Sequence, residues 1–531
     1  MNCCVQKGHG LALLLLLMLT LVGCHYHRHS DLQIFRYNES AGIATLDPAF
    51  AKDQSIIWPC RQLYNGLVQL DTAMQVQPCI AKSWSISPDG LAYSFILRDD
   101  VHFHNGRIVT ADDFVYSFSR IIDPSVMSPG AWIFSGVNSF VALDDTTFVI
   151  HLNSPFAPFL SQLGMVYCSV VPQEEVERHG KEFRSHPCGT GPFRFQYWKE
   201  GVKLVLRRNP DYFERDADGS RLPYLDAIAV TFIVDKQTVF LEFVKGNLDF
   251  MNSIDASYKD ELLNLDGTLK EKYVGRICME STPYLNTEYL GFRMEGEDSP
   301  LKDVRIRQAL NCGFDREKMM RYLRNNIGQP GVCGFVPPSL LATSETPSPR
   351  YNNYNPDRAR QLLVDAGYPG GDGLPALTLS TTSSYLDLCK YIQQQLGLIG
   401  IDVKVDVNPP AVLREHMAQG QVQWFRGSWV ADYPDAENYL SLFFSPNRAP
   451  AGPNYTRFAD RHFDKLYRQA RKETDPNRRF NLYRQMDSLV MQQVPVLVLY
   501  YDQILHFTHP YVHGLRSDAM NTLDLRHVQI N

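Results

Sequence analysis

Catalytic signatures are missing from this chain of 531 residues. It has no G-x-S-x-G elbow, no H-E-x-x-H helix, no Walker loop and no complete G-x-G-x-x-G turn. Gly189-Thr190-Gly191 is only a two-glycine turn. Catalytic groups can stand far apart in a sequence, so these absences weaken the case for an enzyme without closing it. Blocks of like charge are missing too. The 52 Lys and Arg against 58 Asp and Glu give a net charge of −6 with no basic stripe, which argues against nucleic acid as a partner. Metal signatures are thin: His102 and His104 share one face of a candidate strand, but no acid or cysteine clusters with them, so they are read as structural. No metal or other cofactor is implied.

The 11 cysteines are never paired as C-x-x-C. Long apolar runs are absent but for Leu11–Val22. That run follows Lys7 and has the length of a signal-peptide core, short of the roughly 20 residues that span a bilayer. It ends in Leu21-Val22-Gly23-Cys24, which resembles a bacterial lipobox. The resemblance implies cleavage before Cys24, lipid on that residue, and stable membrane anchoring through more than one acyl chain. Residues 1–23 are then a leader, and 24–31, with alternating histidines, a solvated tether. Eight cysteines remain beyond Cys24. An exported protein can pair them, but their scatter favours few bridges or none, as buried small hydrophobes.

What is present describes a folded protein: 44% hydrophobic and 12% aromatic residues, on a chain too long for one core, so two or more lobes are expected. Trp84-Ser85-Ile86, the turn Ser87-Pro88-Asp89-Gly90 and Ala92–Leu97 spell a hairpin. Thr110-Ala111-Asp112-Asp113 opens a helix over 114–122. Helical periodicity over 56–70 stops at Tyr64-Asn65-Gly66. Strands are expected at 193–198, 203–207, 227–234, 377–380 and 401–407, and helices at 235–245, 303–310, 356–366 and 386–397. Val494–Tyr500 reads as a buried strand.

One stretch suggests a ligand. In Phe425-Arg426-Gly427-Ser428-Trp429-Val430-Ala431-Asp432-Tyr433-Pro434-Asp435, an aromatic and an acid follow the cation at three and six residues. A free peptide is a zwitterion. The acid suits its ammonium, the cation its carboxylate, and extended backbone the amides between.

Several motifs in order resemble the extracytoplasmic solute-binding proteins of peptide ABC importers, the dipeptide/oligopeptide group. They are Thr45-Leu46-Asp47-Pro48, Leu63-Tyr64-Asn65-Gly66-Leu67, Ala81-Lys82-Ser83-Trp84 through Asp112-Asp113-Phe114, Gly189–Phe193, Arg208-Asn209-Pro210-Asp211-Tyr212, Asp303–Ala309 and Asn355–Ala359. The resemblance implies an α/β fold: a two-lobed periplasmic-binding-protein clamp of the class II type with an extra small α/β domain in the first lobe. The expected division is 32–59, 181–275 and 495–531 for the first lobe, 60–180 for the insert, and 276–494 for the second lobe. Crossings are expected near Val274–Glu280 and Val494–Tyr501.

The resemblance also assigns roles. Asp432 is expected to meet the ligand's ammonium, Trp429 to pack on side chains, and Arg426 to receive a ligand carboxylate. Ser428 and Val430, beside Tyr433, and in the first lobe Lys52, Asp53 and Gln54, are expected to line the cleft and pair with peptide backbone by strand addition. Lys52 stands where a cleft acid is expected, and a cation there would repel an ammonium. The implied protein is a monomeric, lipid-anchored receptor at the cell envelope, handing peptide to permease subunits and catalysing nothing. Alternatives are a nickel-complex or oligosaccharide binder on the same fold, a secreted hydrolase on an α/β scaffold, or a surface lipoprotein without a small-molecule site.

Overall fold

Phe35 and Tyr37 alternate with partly exposed neighbours to make β1 (Ile34–Asn38), near the start of the computed structural model. The structure describes residues 32–255, 258–296, 299–341 and 352–531. The leader, Cys24 and the tether lie outside the described residues. After β1, Asp47 accepts the backbone N–H of Ala49 at 3.0 Å and the guanidinium of Arg120 at 2.5 Å. This buried pair fastens the Asp47-Pro48 turn to the insert. Asp53 then stands at the N-cap of α1 (Gln54–Leu63). The helix stops at Tyr64, earlier than its periodicity suggests. Gly189 and Gly191 pack on this end: a Cβ on Gly191 would lie 2.4 Å from the Leu63 carbonyl carbon. The two-glycine turn therefore serves close backbone approach.

The insert follows as β2 (Ala81–Ile86), β3 (Ala92–Leu97), α2 (Ala111–Ile122), β4 (Val137–Asp144) and β5 (Thr147–Leu152). Its antiparallel sheet has the order β2-β3-β5-β4. The Asp113 carboxylate accepts the Thr110 backbone N–H at 2.9 Å, the reciprocal half of a capping box. Phe114 and Phe118 of α2 rest on Phe148 at ring separations of 5.7 Å. The chain returns through β6 (Phe193–Lys199), β7 (Lys203–Arg208) and β8 (Ala227–Thr231), which join β1 in the order β1-β8-β7-β6, with β1 and β8 parallel. The expected boundary at 59/60 is corrected: it cuts α1, whose buried Trp58, Cys60 and Leu63 share one continuous core with Phe35 and the insert's Phe95.

A seven-stranded sheet ties the two lobes together. Its members are β9 (Phe250–Asn252), β10 (Cys278–Phe292), β11 (Leu377–Thr381), β12 (Val403–Val407), β13 (Trp424–Val430) and β14 (Val496–Thr508), in the order β9-β14-β10-β13-β11-β12, with Gln329–Pro330 added to β14. Helices α3 (Ala436–Leu440), α4 (Arg461–Lys472) and α5 (Pro476–Gln493) pack beside it. β10 and β14 run antiparallel from Cys278↔Thr508 to Gly291↔Val496, with the ladder broken between Pro283 and Thr287. One end of β14 holds first-lobe β9, and the other end of β10 holds second-lobe β13. Between these two attachments the ladder is irregular at Pro283–Thr287, opposite Tyr501–Gln503. Both strands begin just past the boundaries expected at 275/276 and 494/495 and run on without interruption by a loop. Pro283 and the register break lie in β10, as a local irregularity in the shared ladder.

Candidate functional site

β13 carries most of the singled-out stretch. It pairs with β10 over its whole length, Asn286↔Val430 to Phe292↔Trp424. β11 covers only Trp424 and Phe425 on the other side. The Ala431 N–H donates to the Leu285 carbonyl at 2.8 Å, so alternate residues Trp429 and Gly427 also face β10. Ser428 and Val430 consequently point their N–H and C=O groups to the side that no strand covers among the described residues. Both residues are exposed. Gly427 is required here, since a Cβ would lie 2.7 Å from the Tyr289 ring.

Just past this free edge, Asp432 opens into the cleft. The Asn438 amide on α3 donates to its carboxylate at 3.1 Å. The same Asn438 accepts the Asp432 N–H at 3.2 Å and the Trp429 indole N–H at 2.8 Å. Surrounding walls desolvate the carboxyl and raise its pKa, against the lowering effect of Asn438. Asp432 and first-lobe Asp53 converge on the same neighbour: after burial, each in turn pushes the Tyr167 phenol further upward. Asp53 stands at the N-cap of α1, next to exposed Lys52.

The cleft between the insert and the second lobe has a volume of about 510 Å³. Trp132, Phe156 and Phe159 line one side; Trp429, Asp432, Tyr433, Asn438, Tyr467 and Arg471 line the other. Trp132 faces Tyr433 across it, ring centroids 6.2 Å apart. The Tyr433 and Tyr467 hydroxyls donate to buried Glu437 beneath.

Two expectations change. Arg426 does not face a ligand as a free cation: it is ion-paired to Glu288 and stacked 3.3 Å above the centroid of the Tyr385 ring. Glu288 is buried, and Asn286 donates to it at 3.2 Å. An unmatched guanidinium at this depth would be costly, and the sheet supplies its counter-charge from the neighbouring strand. Gln54 begins α1, so the segment near Lys52–Gln54 is a helix N-terminus and not a strand. Its amide donates to the Asn521 carbonyl at 3.2 Å, beside the Trp58 indole at 2.8 Å, fastening the C-terminal segment.

His104 is bound to Gly191 O at 3.1 Å and Gly189 N at 3.3 Å. Burial lowers its pKa to about 4. Among the described residues no group of three potential ligands forms a metal site, and the eight described cysteines are free. Sequence reasoning missed Glu288, Asn438, Tyr167, Trp132 and Arg471. Asn438 lies six residues beyond Asp432 and was findable as a polar residue on a short apolar helix. The others reach the site only through tertiary folding.

Comparison with known proteins agrees with this architecture. The family described as bacterial extracellular solute-binding proteins, family 5 Middle, matches residues 75–451. The glutathione-binding protein GsiB of Shigella flexneri is 27% identical over 472 residues, covering 88% of each chain. The unliganded open form of the periplasmic murein tripeptide-binding protein MppA superposes with a TM-score of 0.79 at 25% identity, covering 94% of this chain and 98% of that one. The ABC transporter-associated binding protein DppA of Helicobacter pylori, in complex with the peptide STSA, gives 0.76 at 26% identity, covering 94% and 98%. No described helix is long and apolar enough to cross a membrane.

Proposed function

The chain belongs to the bacterial extracellular solute-binding proteins, family 5, and we propose that it captures peptides between its lobes and delivers them to the permease of an ABC importer. Membership makes it an extracytoplasmic binding protein and not an enzyme. The peptide reading rests on one juxtaposition: the Asp432 carboxylate stands two residues beyond a free β-edge at Ser428 and Val430. A peptide laid along that edge gains main-chain hydrogen bonds whatever its side chains. Its ammonium then meets Asp432, with Asp53 reinforcing the negative field from the first lobe. Free amino termini are selected, because an acylated amine leaves a desolvated carboxylate without its counter-charge. The relatives named for glutathione, murein tripeptide and the peptide STSA support the same substrate class.

Lipid on Cys24 would hold this monomeric receptor at the envelope, near its permease. Intact mass of the exported protein tests the anchor: an unmodified N-terminus, or one other than Cys24, overturns it. Light scattering tests the monomer. Native mass spectrometry of protein from its own cells tests the ligand. Retained masses of peptides support the proposal; a retained nickel complex or oligosaccharide replaces it.

A further inference from the structure

The free edge and the interlobe pocket meet at Asp432. Ser428 and Val430 belong to the edge and Asp432 lines the pocket. On the peptide reading, on which this inference rests, a ligand with its ammonium on Asp432 runs its backbone along the edge. The first residue of that ligand, carrying the ammonium held by Asp432, is the part that stands at the pocket. The charged groups lining the pocket are Asp432, Glu437 and Arg471. Glu437 is turned inward: it is 4% exposed and takes the hydroxyls of Tyr433 and Tyr467. That leaves Asp432 and Arg471 as the two charges presented to a ligand.

Arg471 is held for this task from both sides of the cleft. It occupies the last turn of α4, and its carbonyl accepts the Ala157 N–H of the insert at 3.1 Å. Its guanidinium lies over the Phe156 ring, 4.7 Å from the centroid. Stacking keeps the fork flat and leaves its edge free for a carboxylate, the geometry at which arginine surpasses lysine. No carboxylate of the described residues lies within ion-pair distance of it; buried Glu437 feels its charge from further off, whereas Arg426 is paired directly to Glu288. A guanidinium and a carboxylate that both line one pocket of about 510 Å³ match a head group that carries both charges.

We infer that the pocket selects peptides whose first residue bears a carboxylate in addition to its ammonium, an amino-terminal acidic residue or a glutamyl residue linked through its side chain, with that carboxylate on Arg471. The cleft would then recognise two charges of the first residue, and the remainder of the ligand through its backbone.

Calorimetry on the exported protein, stripped of retained ligand, tests this with Ala-Ala-Ala, Gln-Ala-Ala, Glu-Ala-Ala and the side-chain-linked Glu-Ala-Ala isomer. The better of the two glutamyl peptides is expected to bind at least about tenfold more tightly than Gln-Ala-Ala, a charge-assisted bond against a neutral one. Arg471→Gln should bring that ratio close to one, Arg471→Lys should retain part of it, and Phe156→Leu should reduce it. Circular dichroism and melting curves verify that each variant is folded. A ratio near one in the unmodified protein, or one unchanged in folded Arg471→Gln, overturns the inference while Ala-Ala-Ala binding keeps the peptide reading. If none of the four peptides binds, both fall.

Discussion

Asn438 grips Asp432 at two points: its Nδ2 donates to the carboxylate at 3.1 Å, and its Oδ1 accepts the backbone N–H at 3.2 Å. The second of these acceptor contacts is shared with the Trp429 indole at 2.8 Å. One amide therefore fixes the anchoring acid, its backbone and the cleft aromatic together. That arrangement presents a carboxylate with little freedom left to lose when a ligand arrives.

Removing the charge should show this directly. Asp432→Asn is expected to weaken binding of free-amino peptides by tenfold or more, roughly what a lost charge-assisted bond is worth, with Asn438→Ala producing a smaller loss. Because burial raises the Asp432 pKa, the ionised form that binds an ammonium is depleted at higher pH than for an ordinary aspartate. Affinity should fall as pH is lowered through that raised value, and the fall should vanish in Asp432→Asn. Titration calorimetry from pH 7 downward measures both effects; an affinity independent of pH contradicts the anchor.

Strand addition at Ser428 and Val430 makes a claim about amides. Methylating a ligand amide nitrogen that faces this edge removes a donor and adds bulk, and should weaken binding about tenfold or more. Exchanging the second side chain for another of similar size should change affinity far less. Competition binding with a set of singly N-methylated tripeptides would display the pattern, and equal affinities across the set would exclude it.

The Arg426–Glu288 pair is buried, with side chains 12% and 2% exposed. Glu288→Gln leaves a guanidinium without its counter-charge and is expected to cost about 3–5 kcal/mol. The combined Glu288→Gln, Arg426→Met protein should lose less than Glu288→Gln alone. Urea unfolding followed by circular dichroism compares them. Equal stability of Glu288→Gln and the parent would mean that Arg426 finds another anion.

Asp487 should govern part of the pH profile of stability. It is buried on α5, accepts the N–H groups of Phe335 at 2.8 Å and Val336 at 3.2 Å, and burial raises its pKa to about 7. Its unfolded value is near 3.9, so between these limits the folded state holds the extra proton. Stability from this group is greatest at the low end and declines as pH rises to 7, by an amount on the order of a few kcal/mol. Asp487→Asn should flatten that decline. Denaturation midpoints at pH 5 and pH 8 for both proteins provide the comparison.

Much of the fold was legible because it is local. The hairpin around Ser87–Gly90, the Thr110–Asp113 capping box and the strand at Ala92–Leu97 rest on turn chemistry and period-two alternation within a few residues. The length of β10 was not legible: Pro283 and polar residues from Glu280 to Thr282 interrupt its pattern, and only pairing with β14 completes the strand. The site divided in the same way. Asp432, Trp429 and the edge residues belong to one stretch with suggestive spacing. The ion pair that engages Arg426 was not legible because Glu288 stands 138 residues away, and adjacency in a sheet leaves no trace in spacing.

By itself the sequence determined the local grammar: the helices, the hairpins, the class of clamp it resembles, and an acid, an aromatic and a strand in one short run. These depend on backbone preference and periodicity, which neighbours in sequence decide. Only the tertiary structure decided which charges are committed and which are offered. It neutralised Arg426 with Glu288, brought Asp53 to the same neighbour as Asp432, and set Arg471 over Phe156 across the cleft. Coulomb energy and desolvation depend on distance in space and on exclusion of water, and those quantities exist only once the lobes are packed.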